Sequence, residues 1–215
     1  ANGRTNLLMY AVMRFGKSIT SMWCAKNIDS KLTVVVSAKA DIKSEWKQTV
    51  ESHVDFTGYR FMDSDNLRSS DNLNDLYDQK FNTGSGEEEV CKNIVLFLTL
   101  QDLAGSTETI KKHHKILQEN KVDLLIVDET HFGARAQVLG KVLAGIELSE
   151  EDENTLKAKP EDSENLGSLN KLVAINANIK LHLSGTPYRI LMGSEFDKED
   201  IIAFVQFSDI YEAKL

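Results

Sequence analysis

The sequence predicts an α/β fold built on a mainly parallel sheet, and three observations carry that expectation. Apolar, β-branched runs alternate with helix-like stretches along most of the chain. Several runs are continuous instead of alternating, among them "LTVVVSAK" (32–39), "NIVLFLTL" (93–100) and "VDLLIVDE" (122–129), the pattern of strands covered on both faces. Small polar or acidic residues stand where these runs stop, at the strand ends where the functional loops of a parallel sheet collect.

The elements follow in order. Residues 7–12, "LLMYAV", form a first short apolar run; the loop "MRFGKS" and a helix-like "ITSMWCAKNI" come next. After the strand at 32–39, residues 40–52 read as a helix with Ile42, Trp46 and Val50 on one side. "FTGYRFM" suggests a strand. Residues 63–90 are polar and rich in Asp, Asn, Ser and Gly, and read as an irregular excursion with a short helix near 71–80. The strand at 93–100 leads to a helix at 106–119 and the strand at 122–129. "RAQVLGKVLAGI" is helical, 149–165 is an acidic exposed loop, "LGSLNKLVAI" is a further helix, and "IKLHLSGT" is a strand ending in small polar residues.

Composition bounds the function. The chain has 215 residues, 41% hydrophobic and 27% charged, ordinary for one substantial globular domain. A formal net charge of -8 and a pI near 5.2 argue against a simple nucleic-acid-coating module, while leaving room for a local basic groove. Cys24 and Cys91 stand far apart without metal-ligand spacing and read as buried free thiols of a reducing compartment. With no secretory leader pattern and no apolar stretch of membrane length, a cytoplasmic location and no membrane partner are the expectation.

Three segments carry chemistry. In "AVMRFGKS" (11–18), Met13 to Ser18 can wrap a phosphate: Gly16 allows close backbone approach, Lys17 reaches the β- and γ-phosphates, and the Ser18 hydroxyl suits Mg2+. The usual pattern has glycine six positions before the lysine, and here that position is Ala11. Arg14 and Phe15 occupy places where small residues are common; Arg14 can meet a phosphate, a second domain or nucleic acid, or pair with a nearby acid. In "LLIVDETHFG", Asp128 suits the metal and Glu129 the activation of water, the alternative being two acids that cap a helix. His131 can bond the neighbouring "SGT" loop, or be a buried, satisfied histidine. In "LHLSGTPYR", Ser184 and Thr186 can couple to the acids, although Gly185 and Pro187 also make an ordinary turn. Lys39, Thr99 and Gln101 follow strand-like runs and are candidates for contacts to a nucleic-acid backbone, each with a plain local role as the alternative.

As a set, these segments resemble the first RecA-like motor domain of superfamily 2 helicases and translocases of the DExH type. "MRFGKS" is similar to motif I, "VVVSAK" to motif Ia, "FLTLQDL" to the next nucleic-acid segment, "VDETH" to motif II and "LSGTP" to motif III. The "MRFGK" and "DETHFG" forms look most like restriction-modification-associated helicase proteins. The resemblance implies a RecA-like three-layer sandwich of the P-loop NTPase class, ATP and Mg2+ as cofactors, and movement along DNA, duplex favoured. It implies that residues 1–215 are one N-terminal ATPase lobe of a longer protein, completed by a second RecA-like lobe and accompanied by nuclease, methyltransferase or specificity domains or subunits. An RNA helicase lobe and a degenerate, non-hydrolysing nucleic-acid-binding or scaffold module are the alternatives.

Overall fold

A computed structural model of the chain describes residues 3–12, 14–38, 40–69, 73–84, 86–103, 117, 119–128, 149, 172, 175–185, 196–206, 208–209 and 213. Within these, seven strands form one sheet: β1 (Asn6–Ala11), β2 (Leu32–Ser37), β3 (Tyr59–Asp63), β6 (Asn93–Thr99), β7 (Val122–Asp128), β8 (Ala177–Ser184) and β9 (Ile201–Val205), in the order β3-β6-β2-β7-β8-β1-β9. All six neighbouring pairs are parallel. β4 (Lys80–Asn82) and β5 (Glu88–Val90) form a separate antiparallel pair. The expected α/β sandwich with a mainly parallel central sheet is what the chain adopts, consistent with a RecA-like P-loop NTPase fold.

The continuous apolar runs become strands buried from both sides. Along β2, Val34 and Val36 face one core while Val35 faces the other; along β6, Leu96 and Leu98 oppose Val95 and Phe97. Each such side chain contributes roughly 1.5–3 kcal/mol by leaving water. On the second face lie α1 (Lys17–Asn27), through Met22 and Ala25, and α2 (Lys43–Ser52), through Trp46 and Val50. Leu117 and Leu172 join the first face.

Helix α1 stops because Asp29 takes a left-handed φ of 52°, with the Ile28 and Asp29 N–H groups returning to the Cys24 and Lys26 carbonyls. That closure lets the chain enter β2. At the starting edge of the sheet, Asp123 on β7 accepts from the Lys31 and Leu32 N–H groups at 2.8 and 3.1 Å and from the Asn178 amide at 3.3 Å, which ties the starts of β2, β7 and β8 together. Asn93 donates to the Ser30 carbonyl at 2.7 Å, and the Ser30 and Thr33 hydroxyls share a hydrogen bond of 2.8 Å.

Two stretches differ from the sequence reading. The 63–90 excursion holds more regular structure than its composition suggests: α3 (Ser64–Ser69), a 3-10 turn at Leu73–Leu76 in place of a helix over 71–80, and the β4–β5 pair. Its sparse apolar residues, Leu73, Leu76 and Phe81, are buried in the first core, which anchors it. β9 has no counterpart in the sequence reading; "IIAFV" is a short run whose side chains are only partly covered. The expected helix at 106–119 falls outside the described residues except for Leu117 and Glu119, both helical. The 149–165 loop, apart from Ser149, also falls outside.

Candidate functional site

Parallel pairing brings the strand ends into one row. Ser37 at the end of β2 stands opposite both Thr99 on β6 and Asp128 on β7, and Ser184 at the end of β8 stands opposite Tyr10, one residue before the end of β1. β8 runs between β7 and β1, so the strand ending in "SGT" separates the strand carrying Asp128 from the one feeding the glycine loop.

The loop is built as follows. Ala11 is the last residue of β1, paired with Val205, and the Val12 N–H continues that contact to the Val205 carbonyl at 3.2 Å. Its backbone is extended and outside the positive-φ set, which is why no glycine is required at this position. The Phe15 N–H then turns back to the Val12 carbonyl at 3.3 Å. Arg14 sits at φ 64° and Gly16 at φ 93°, so the turn uses two left-handed residues, only one of them glycine. A Cβ at Gly16 would also meet Ile19 Cγ2 at 3.1 Å. Gly16 is the N-cap of α1, and no side chain caps that helix start. The first-turn N–H groups therefore face the loop with the positive end of the helix dipole.

Lys17 Nζ donates to the Ala11 carbonyl at 3.3 Å, which folds the ammonium back over the loop. Ser18 is buried, and its hydroxyl donates to Glu45 Oε1 at 3.4 Å. Asp128 is 9% exposed and accepts from the Trp46 indole N–H at 2.9 Å. Ser18 and Asp128 thus both reach the first turn of α2, through consecutive residues. Ser18 Oγ and the Asp128 carboxylate are hard oxygen donors of the kind Mg2+ selects, and an uncapped helix start behind a lysine suits a polyphosphate; the donor set fits both groups.

Arg14 and Phe15 are exposed, and Arg14 has no acid within ion-pair distance among the described residues. Thr99 caps α4 (Leu100–Leu103): its N–H and hydroxyl both donate to Asp102 Oδ2 at 2.8 Å, and the Asp102 N–H returns to Thr99 Oγ1 at 3.1 Å. Gln101 is exposed on the same turn. Ser184 is buried at the end of β8. Met13, Lys39, Glu129, His131 and Thr186 lie outside the described residues. Cys91 is buried and its thiol is pushed up to about 11 by desolvation, while Cys24 is half-buried and raised for the same reason. Among the described residues no cluster of three or more His, Cys, Asp or Glu could hold a metal.

Sequence reasoning missed Glu45 altogether and placed Trp46 only on an apolar face; nothing in "KSEWKQ" marks an indole N–H aimed at a carboxylate. It also passed over His182. This ring is buried in β8 with Nε2 at 2.8 Å from Asn6 Oδ1 and Phe196 edge-on at 5.0 Å, and Nδ1 finds no hydrogen-bond partner among the described residues. Desolvation first, and the Lys180 charge second, lower its pKa to about 3.

Residues 2–189 match the family described as "Type III restriction enzyme, res subunit". The chain is also 29% identical over 235 aligned positions to a Mycoplasma pneumoniae protein named "Putative type II restriction enzyme and methyltransferase" (C-terminus); the match takes in 99% of this chain and 29% of that protein. The chain therefore spans under a third of the length of this curated relative. No helix among the described residues is long and apolar enough to cross a membrane. By the extent of the family match, the chain belongs to the type III restriction enzyme res-subunit family, a superfamily 2 helicase domain linked to restriction-modification systems.

Proposed function

We propose that this chain is the ATP-binding lobe of a DNA-dependent ATPase, a helicase or translocase that works as the motor of a restriction system. One observation carries the reading: Gly16, Lys17 and Ser18 form an uncapped helix start beyond β1, and buried Asp128 ends β7 in the same row of strand ends.

The residues divide the work by their chemistry. The backbone N–H groups of the loop and α1 bind phosphate oxygens, and Lys17 leaves the Ala11 carbonyl to neutralise the terminal phosphates. Ser18 and Asp128 would hold Mg2+, which supplies charge neutralisation between the phosphates. Glu129 accepts a proton from the attacking water. His131, Ser184 and Thr186 link the acids to the next strand end, and Lys39, Thr99 and Gln101 lie along the track of the nucleic-acid backbone. Arginines from a second RecA-like lobe complete the site, so the isolated lobe binds nucleotide and hydrolyses it slowly; loss of such an arginine costs 10³–10⁵ in related phosphoryl transfers. Nuclease, methyltransferase or specificity partners accompany the motor, as the name of the M. pneumoniae relative suggests.

The test is ATP hydrolysis by the longer protein with duplex DNA, single-stranded DNA or RNA added. Stimulation strongest with duplex DNA is the expected result. Stimulation by RNA alone would replace the motor's substrate, and no hydrolysis by folded protein would leave a nucleic-acid-binding or scaffold module.

A further inference from the structure

The contact between α2 and Asp128 has no counterpart in the loop chemistry described so far. Trp46 is 1% exposed and belongs to the second core, yet its one polar atom is not used within that core. A buried indole N–H requires an acceptor, and a backbone carbonyl serves as well as any other. Here the acceptor is the carboxylate of Asp128, from a strand three neighbours away from the edge and far along the chain. A hydrogen bond from a neutral donor to a buried carboxylate is strong and directional. It consumes one lone-pair direction of the carboxylate and fixes its rotation, leaving acceptor capacity for a cation-bound ligand. The preceding residue, Glu45, is exposed and accepts from the Ser18 hydroxyl. Coordination of a cation by Ser18 would use an oxygen lone pair and leave that O–H free to keep donating to Glu45. Both oxygen donors are therefore held from behind by one helical turn.

We infer that Trp46 is a positioning residue: its indole N–H orients the Asp128 carboxylate for Mg2+, with Glu45 doing the same for Ser18. This rests on the nucleotide reading above. It predicts that α2, the helix that follows β2 in the chain, carries the precision of the metal site and not the binding of the phosphates. Groups that orient a ligand's unused side change metal affinity by about 10- to 100-fold when removed.

The experiment compares nucleotide affinity with and without Mg2+, by equilibrium binding of a non-hydrolysable ATP analogue to the full-length protein. Wild type should bind more tightly with Mg2+. Trp46→Phe keeps the ring in the core and removes the N–H; it should bind as wild type in EDTA and lose about 10-fold of the Mg2+-dependent tightening. Glu45→Ala should show a smaller loss of the same kind. Unchanged Mg2+ dependence in Trp46→Phe would overturn the inference and leave a satisfied core indole. Should that variant fail to fold, Glu45→Ala, at an exposed position, supplies the second measurement, and unchanged Mg2+ dependence there would overturn the inference equally. Wild-type protein with no Mg2+-dependent tightening would instead overturn the nucleotide reading, and this inference with it, a failure seen without any substitution at Trp46.

Discussion

The two ends of the parallel sheet use polar residues in opposite ways. Where the strands begin, Asp123, Asn93, Ser30 and Thr33 are occupied by the backbone and by each other. Where they finish, Lys17 holds a carbonyl at 3.3 Å, Ser18 holds a carboxylate at 3.4 Å, and Arg14 keeps a left-handed backbone without being glycine. In the first arrangement each polar group has close protein partners. In the second, Asp128 and Thr99 are held at 2.9 and 2.8 Å, while the long bond of Lys17 is one that a ligand can displace at little cost. The strands are common to both ends; what differs is whether each polar group already has its best partner.

Substitutions at the two ends should separate binding from stability. The largest effect is expected from Lys17→Ala in the full-length protein: a fall of about 10²–10³ in hydrolysis, typical of losing one group that stabilises transition-state charge, with the melting temperature nearly unchanged. Steady-state ATPase and calorimetry on the same sample decide this. Asp123→Ala should do the converse. It leaves two strand-start N–H groups without their acceptor, so unfolding by urea should show a loss of roughly 1–3 kcal/mol while nucleotide affinity stays within about twofold.

His182 gives a pH test, and it lies within β8, two residues before Ser184. The unfolded chain takes up a proton on this ring near pH 6.5, whereas the folded chain resists until about 3, so protons favour the unfolded state in between. Stability is therefore full above about pH 6.5 and declines as pH falls toward 3. By pH 5 the loss from this group amounts to about 2 kcal/mol. His182→Gln keeps an amide donor for Asn6 and cannot titrate; its stability at pH 5 relative to pH 7 should fall by that much less, as read by urea unfolding at both values. An equal fall in variant and wild type would show that the ring does not contribute.

The smallest effect belongs to Arg14. Replacing it by Gly relieves a left-handed non-glycine residue and should raise stability by up to about 1 kcal/mol. If its exposed side chain meets DNA, the same variant should show weaker stimulation by DNA relative to its own basal hydrolysis. A gain in stability with undiminished stimulation would assign the residue to the loop alone.

The elements most legible in the sequence were those with one cause. β2, β6 and β7 are apolar on both faces, and a run such as "TVVV" has no other use in a domain of this size. Gly16, Lys17 and Ser18 stood out because a phosphate-binding reading constrains residue type and spacing together, and the structure sets them at the start of α1. β9 was not, because an edge strand with Ile202 and Phe204 partly exposed lacks the two-sided burial that marks the others. The β4–β5 pair was hidden by its own composition, since three-residue strands leave too few positions for a pattern. The Trp46–Asp128 bond depends on two elements meeting across the core, and His182 on what surrounds it. Both facts belong to the packing and have no local signature.

The order of the strands in space has a consequence for how the protein is made. β1 precedes the other strands of its sheet in the chain, but both of its neighbours come from far along it: Asn6 pairs with Lys180, and Leu8 with Ile201. Strands β2, β3, β6 and β7 can pair as they emerge, whereas the segment that bears the phosphate loop has no sheet to join until β8 is available. Such long-range pairing is slow and comes late. A nucleotide bound at this loop, as proposed above, could therefore not serve as an early template for folding; a chain stalled before β8 would hold β2, β3, β6 and β7 together and leave β1 without its neighbours.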